Sequence, residues 1–122
     1  MRSPVSSFEL PVRDLDRAVA FHGAVFGDGF ERVGIDGNEM ALFPAVSGTG
    51  GISGALVRGE SYVPGRRGAR LYFAVGSIEE TLGRVEAAGG RVLYPRTSIG
   101  KSGWVVEFGD SEGSCVALHS RS

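Results

Sequence analysis

Glu9, Arg70, Tyr72, Trp104 and His119 are the side chains of this 122-residue sequence whose types suit a small-molecule site. Glu9 paired with His119 or Tyr72 would be an acid–base couple. Arg70 supplies a permanent positive charge. Trp104, with Phe43, Tyr72 and Phe108, offers flat apolar contact, and core packing is the equal alternative for Trp104. No Ser-His-Asp order and no Cys/His zinc spacing are present, and the glycines of Ser47–Gly51 lack the Lys-Ser/Thr of a phosphate loop. Cys115 has no neighbour in sequence that would lower its pKa, and it reads as a core residue of the last strand. The catalytic residues, if there are any, stay unassigned.

The elements that must position these residues begin with Phe8 to Phe26. Phe8, Leu10 and Val12 alternate with Glu9 and Pro11, the period of a half-buried strand. Asp14 stands at an N-cap position. Leu15, Ala18, Val19, Val25 and Phe26 then recur at helical spacing until Gly27 and Gly29. A strand over Phe30–Ile35, a turn at Asp36-Gly37, a strand through Met40 and Leu42, and a fourth strand Ile52–Val57 complete a βαβββ unit.

The pattern returns once. Val12 matches Val75 and Leu15 matches Ile78, each 63 residues on (75 − 12 and 78 − 15), and Leu56 matches Leu118 at 62 (118 − 56). A near-constant offset marks a duplicated module. The second copy reads as strand Leu71–Val75, helix Ile78–Ala88 opened by Ser77 and Glu80, strand Arg91–Tyr94, loop Arg96–Ser102, strand Trp104–Phe108, a turn at Asp110–Gly113 and strand Ser114–His119. The fold class is therefore α+β, a single domain over 1–122. Module one spans about 7–57, a polar connection 58–69, and module two about 70–119. Two such modules form a curved mixed sheet around a cleft, with their helices outside.

Composition narrows the partners. The net charge of −1, from 13 basic and 14 acidic residues, gives no reason to expect nucleic acid or an anionic membrane. One cysteine rules out an internal disulfide framework and fits a reducing compartment. No run approaches the roughly 18 apolar residues of a membrane span, so a cytoplasmic protein is expected. Glycine, at 20 residues, is well above the usual share and fits many tight turns between short strands. Arg58, Arg66, Arg67 and Arg70 cluster at the junction, either as a solvated loop or as an anion-binding rim.

This arrangement resembles the vicinal oxygen chelate superfamily, also called the glyoxalase/bleomycin resistance/dioxygenase group. The likeness is carried by Leu10–Phe21, Tyr72–Val75, Val85–Val92, Ile99-Gly100, Gly103-Trp104, Phe108, Asp110–Gly113 and Ala117–Ser120. It implies two βαβββ modules and, in most members, a divalent metal held by ligands on the first and fourth strands of each module. By position those ligands would be Ser7, Ala55, Arg70 and Ala117, and none is His, Gln or Glu. Ala has no donor atom and Arg repels a cation, so no metal cofactor is expected, with a divalent ion as the alternative. The period of two sets Glu9 beside Ser7, Tyr72 beside Arg70 and His119 beside Ala117, lining the cleft as ligand-binding residues. The competing reading has Glu9 and Arg70 neutralising each other. His22, where the resemblance implies a Tyr, reads as packing. The resemblance implies a homodimer that binds a small organic molecule. Alternatively it implies a lyase, isomerase or dioxygenase that uses a metal or a Glu/His/Tyr pair.

Overall fold

The computed structural model describes residues 5–35, 37–44 and 53–122. Module one comprises β1 (Ser7–Pro11), α1 (Leu15–Phe26), β2 (Glu31–Ile35), β3 (Asn38–Leu42) and β4 (Ser53–Arg58). Module two comprises β5 (Tyr72–Ala74), α2 (Ile78–Ala87), β6 (Arg91–Ser98), a 3-10 turn (Gly100–Ser102), β7 (Trp104–Gly109) and β8 (Cys115–Ser120). The sheet orders β1-β4-β3-β2 and β5-β8-β7-β6 are the same topology twice, each with a parallel pair (β1 with β4, β5 with β8). Asp36, Ser47–Gly51 and Ile52 of the expected turn, loop and strand lie outside the described residues.

Local chemistry sets the helix ends. Asp14 accepts a hydrogen bond from the Arg17 amide at 3.0 Å, and Ser77 accepts one from the Glu80 amide at 3.2 Å. Helix α1 stops at Gly27, whose φ of 113° is open to glycine and strained for other residues. The expected strand Arg91–Tyr94 runs on to Ser98, so most of the expected loop Arg96–Ser102 is strand. β6 is an edge strand with register shifts between Val92 and Tyr94 and between Tyr94 and Thr97. An irregular edge strand accommodates Pro95, which has no N–H to give to a ladder.

The helices, expected on the outside, lie inside: the modules meet through their helix-bearing sides, where α1 packs against α2. Leu10, Val12, Ala41 and Leu56 join Leu15, Ala18, Phe21 and Val25 of α1 in one buried core with Ile78, Val85, Val106, Phe108, Val116 and Leu118. All seven phenylalanines take part in a network of ring contacts that includes His22, and pairs such as Phe8–Phe73 at 5.6 Å and Phe26–Phe73 at 4.6 Å cross between modules. His22 is a packing residue: it is buried among Phe21, Phe26 and Phe43, with Nε2 3.2 Å from Asp110 Oδ2. Arg84 of α2 donates to the Val25 carbonyl at the end of α1 at 3.0 Å.

Glu112, in the β7–β8 turn, is the polar centre of this interface, with its side chain wholly buried. Its Oε1 accepts from the amides of Arg13 and Asp14 at 2.8 and 2.9 Å and from Arg17 Nη2 at 3.0 Å. Its Oε2 accepts from Arg17 Nε at 2.7 Å and Ser111 Oγ at 2.9 Å. A carboxylate from module two thus closes the amino end of the module-one helix, where the helix dipole favours negative charge. Burial pushes the Glu112 pKa up, but the hydrogen bonds from Arg17, the Asp14 and Arg13 amides and Ser111 outweigh it. The pKa falls from 4.5 to about 2. A depressed carboxylate pKa contributes stability that is complete above pH 4.5 and lost as pH falls toward 2. Its size is about 3 kcal/mol. Urea unfolding of Glu112→Ala at pH 7 should show a loss of that order. The deficit relative to wild type should shrink between pH 4.5 and 2, and an undiminished deficit at pH 2 would separate the stabilisation from the charge.

Candidate functional site

Strand pairing decides which residues share a face. Tyr72 stands opposite Ala117, Ala117 opposite Glu107, and Glu107 opposite Tyr94, so one row crosses the second sheet as Tyr72–Ala117–Glu107–Tyr94. The row above it holds Ala74, His119 and Val105. Phe73, Val106 and Leu118 alternate with these residues and enter the core, so this row lies on the outer face. The matching row of the first sheet is Glu9–Ala55–Leu42–Glu31, next to Pro11–Val57–Met40–Val33.

Four of the five expected binding residues keep to these outer faces, and their partners differ from expectation. Arg70 is paired with Glu107 at 2.9 Å rather than with Glu9. Glu107 is on the same sheet, whereas Glu9 belongs to the other module and accepts from the Tyr62 hydroxyl at 2.7 Å. His119 Nε2 is 2.6 Å from the Ser102 carbonyl, which can only accept, so the ring nitrogen is the donor. Tyr72 is half-exposed, at 52% of its surface. Trp104 follows the core-packing reading: it alternates in phase with Val106 and Phe108, is partly buried against the core, and carries the Arg96 guanidinium 3.8 Å above its ring.

Three outer-face residues were missed in the sequence. Glu107 is the one charged residue in an otherwise apolar strand and sits out of phase with Val106, a signal that strand periodicity alone carries. Tyr94, 44% exposed, ends the expected second strand of module two. Tyr62 lies in the connection, where no periodicity applies. The basic cluster at the junction is divided: Arg58 pairs with Glu39 at 2.7 Å, Arg70 pairs with Glu107, and Arg66 and Arg67 are exposed.

At the four positions where the resemblance implies metal ligands, Ala55 and Ala117 present methyl groups, Ser7 is exposed, and Arg70 is a paired cation. These residues do not fit a divalent ion. Among the described residues no group of three or more His, Cys, Asp or Glu side chains is placed to hold one. A hollow of about 400 Å³ is lined by Val12, Arg13, Glu39, Arg58 and Tyr62 among others, and a second of about 220 Å³ by Ser77, Glu79 and Arg96 among others. Neither is lined by Glu9, Arg70, Tyr72, Trp104 or His119. The hollows are polar and open, and the aromatic row lies on an open face outside them. No helix among the described residues is long and apolar enough to cross a membrane.

In comparison with solved structures, the chain is similar to a glyoxylase/bleomycin resistance protein/dioxygenase domain from Frankia sp. EAN1pec, at TM-score 0.69 and 23% identity, covering 98% of both chains. It is similar to the fosfomycin resistance protein FosX of Listeria monocytogenes, at TM-score 0.73 and 22% identity, over 100% of this chain and 94% of that one. It is also similar to TnmS3, an antibiotic binding protein from Streptomyces sp. CB03234, at TM-score 0.67 and 24% identity, over 98% and 97%. A variant of FosX has been solved with Mn(II) and 1S,2S-dihydroxypropylphosphonic acid. No protein-family model and no curated protein matches the chain. The fold is that of the vicinal oxygen chelate superfamily, two βαβββ modules in tandem.

The site's own electrostatics bear on Cys115, which shares the outer face with Ala117 and donates to Glu107 at 3.7 Å. Burial pushes its thiol pKa up, Arg70 pulls it down, and Glu107 pushes it up again. The net result lies above the ordinary value. Cys115 is therefore a neutral thiol at pH 7. The pH midpoint for alkylation by iodoacetamide should lie above that of the urea-unfolded chain, and Arg70→Ala should move it higher still. A midpoint that drops in Arg70→Ala would reverse the assigned role of the arginine.

Proposed function

We propose that this protein is a glyoxalase/bleomycin resistance-like binding protein that holds a small organic molecule in a cleft built from the outer faces of its modules, without a catalytic metal. The observation that carries this reading is the row Tyr72–Ala117–Glu107–Tyr94. Two half-exposed tyrosines stand roughly 14 Å apart, three strand spacings, with the buried Ala117 and the Glu107 carboxylate, paired with Arg70, between them. Rings of this kind give large contact area at low entropic cost. The Arg70–Glu107 pair offers both a donor and an acceptor. A planar aromatic molecule with hydroxyl or carbonyl substituents fits that chemistry. The likeness to TnmS3, an antibiotic binding protein of the same fold, supports it.

Because the modules of one chain are joined by their helix-bearing sides, their outer faces point away from the shared core. A second copy supplies the opposing wall, which makes the working unit a homodimer, here taken to act in the cytoplasm. Exposed apolar side chains at Val63, Tyr72, Val92, Tyr94 and Ile99 are consistent with such a wall. The alternative, a lyase, isomerase or dioxygenase acting through Glu9 with His119 or Tyr72, has less support. Within one chain Glu9 is held by Tyr62 and His119 by the Ser102 carbonyl.

Thermal-shift screening of planar aromatic antibiotics should find a compound that raises Tm and is recovered unchanged by mass spectrometry. Tyr72→Ala and Tyr94→Ala should each weaken its binding about tenfold or more with little loss of stability, since both rings are half-exposed. A converted ligand would move the protein to the enzyme reading. Size-exclusion chromatography with elemental detection, after incubation with Ni(II), Zn(II), Mn(II) or Fe(II), should give a dimer peak without stoichiometric metal. A monomer at micromolar concentration would remove the two-chain cleft, and a retained ion would place donors outside the four positions considered.

A further inference from the structure

We infer that His119 presents a bare imidazole nitrogen, Nδ1, on the outer face of the second module, and that the ligand of this face is an aromatic molecule bearing a hydroxyl group that donates to it. This inference rests on the reading of that face as the binding surface, and it narrows the ligand to a phenolic one.

The Ser102 carbonyl fixes the proton. His119 Nε2 lies 2.6 Å from it. A carbonyl oxygen only accepts, so Nε2 carries the hydrogen, and in a neutral ring Nδ1 is then a lone pair. The carbonyl is itself held in place. Ser102 ends the 3-10 turn, which is closed by the Gly103 amide on the Gly100 carbonyl at 3.2 Å and by the Ile99 amide on the Gly103 carbonyl at 2.8 Å. Gly103, at φ 108°, sits so close to β8 that a Cβ there would run into the Ser120 carbonyl. The other side of the ring is free. Among the described residues the one buried side-chain nitrogen or oxygen without a partner is His22 Nδ1, so His119 Nδ1, which has no partner either, is open to solvent.

The neighbours on the face give this lone pair its use. His119 stands in the row Ala74–His119–Val105, beside the row Tyr72–Ala117–Glu107–Tyr94. Roughly 7 Å along β8 separates the two rows, within the span of a two-ring aromatic molecule. Alanine and valine offer no polar side-chain atom. Glu107 is already engaged at both oxygens, Oε2 by Arg70 at 2.9 Å and Oε1 by Cys115 at 3.7 Å. The Arg70 guanidinium only donates. A ligand hydroxyl needs an acceptor, and Nδ1 of His119 is an acceptor on this face still without a donor.

The proton position is tested first, without a ligand. Long-range proton–nitrogen correlation spectra of the wild-type protein, recorded where the ring is neutral, should show His119 protonated at Nε2 and bare at Nδ1. A proton on Nδ1 would overturn the inference. A naphthol and the corresponding methoxynaphthalene are then titrated, since they share a ring system and only the naphthol donates. Wild type should bind the naphthol about fivefold more tightly, the size of one neutral hydrogen bond. His119→Gln should abolish that preference by weakening the naphthol alone, with Tm near wild type, because the glutamine amide still donates to the Ser102 carbonyl and leaves no acceptor at the Nδ1 position. A histidine with only a structural role would leave the preference unchanged in His119→Gln, and that result would overturn the role of Nδ1. Equal affinity of wild type for the two compounds would overturn it as well, with the aromatic-binding reading intact. Binding of neither compound would overturn that reading and this inference together.

Discussion

The molecule depends on one carboxylate. Glu112 takes five hydrogen bonds from Arg13, Asp14, Arg17 and Ser111, four of them from the residues that open a helix nearly a hundred residues earlier. Apolar packing between the modules is non-directional and would tolerate many relative orientations. A buried carboxylate tolerates few, because each lost donor leaves charge unpaired in a place water does not reach. Phe73 against Phe8, Phe26 and Phe43, and Phe21 against Phe108, join the modules by apolar contact, and Glu112 fixes how they are oriented. His22 with Asp110 and Arg84 with the Val25 carbonyl lie in the same interface and act in the same direction.

That orientation has a consequence for function. With α1 and α2 inside the interface, each sheet turns its second face outward, and residues that alternate with the core become a surface. This accounts for an open aromatic row on module two and for the absence of the expected binding residues from the two polar hollows. A site built this way is shallow on a single chain and gains depth from whatever is placed opposite it.

The parts of this arrangement that were legible in the sequence were those encoded locally. The repeat, the caps at Asp14 and Ser77, and the alternation of β1 each depend on spacings of a few residues, and each is in the structure. The pairings were not legible. Glu112 reads as a turn residue because its partners are about 95 positions away, and nothing near it in sequence names them. Arg70 had two acids within reach of a plausible cleft, and only sheet register selects Glu107 over Glu9. Trp104 is a different case. Its phase with Val106 and Phe108 was available, and counting in twos along WVVEF sends the indole to the core and Glu107 outward. The length of β6 was hidden by Pro95, which ends a central strand but is tolerated on an irregular edge.

The two modules also differ in a way that bears on the chemistry of the outer faces. Ala55 and Ala117 occupy equivalent places, opposite Glu9 and Tyr72. An alanine there removes a donor, and it also lowers the floor of the sheet between taller neighbours. On the second face the alanine and Glu107 lie between two half-exposed tyrosines. On the first face the same low floor lies beside Glu9, and the chain's own Tyr62 is drawn to that acid. The first face thus holds a phenol from within the chain, and the second presents two half-exposed tyrosines of its own. Two alanines, an exposed serine and a paired arginine thus stand at the four places where the resemblance implies coordination.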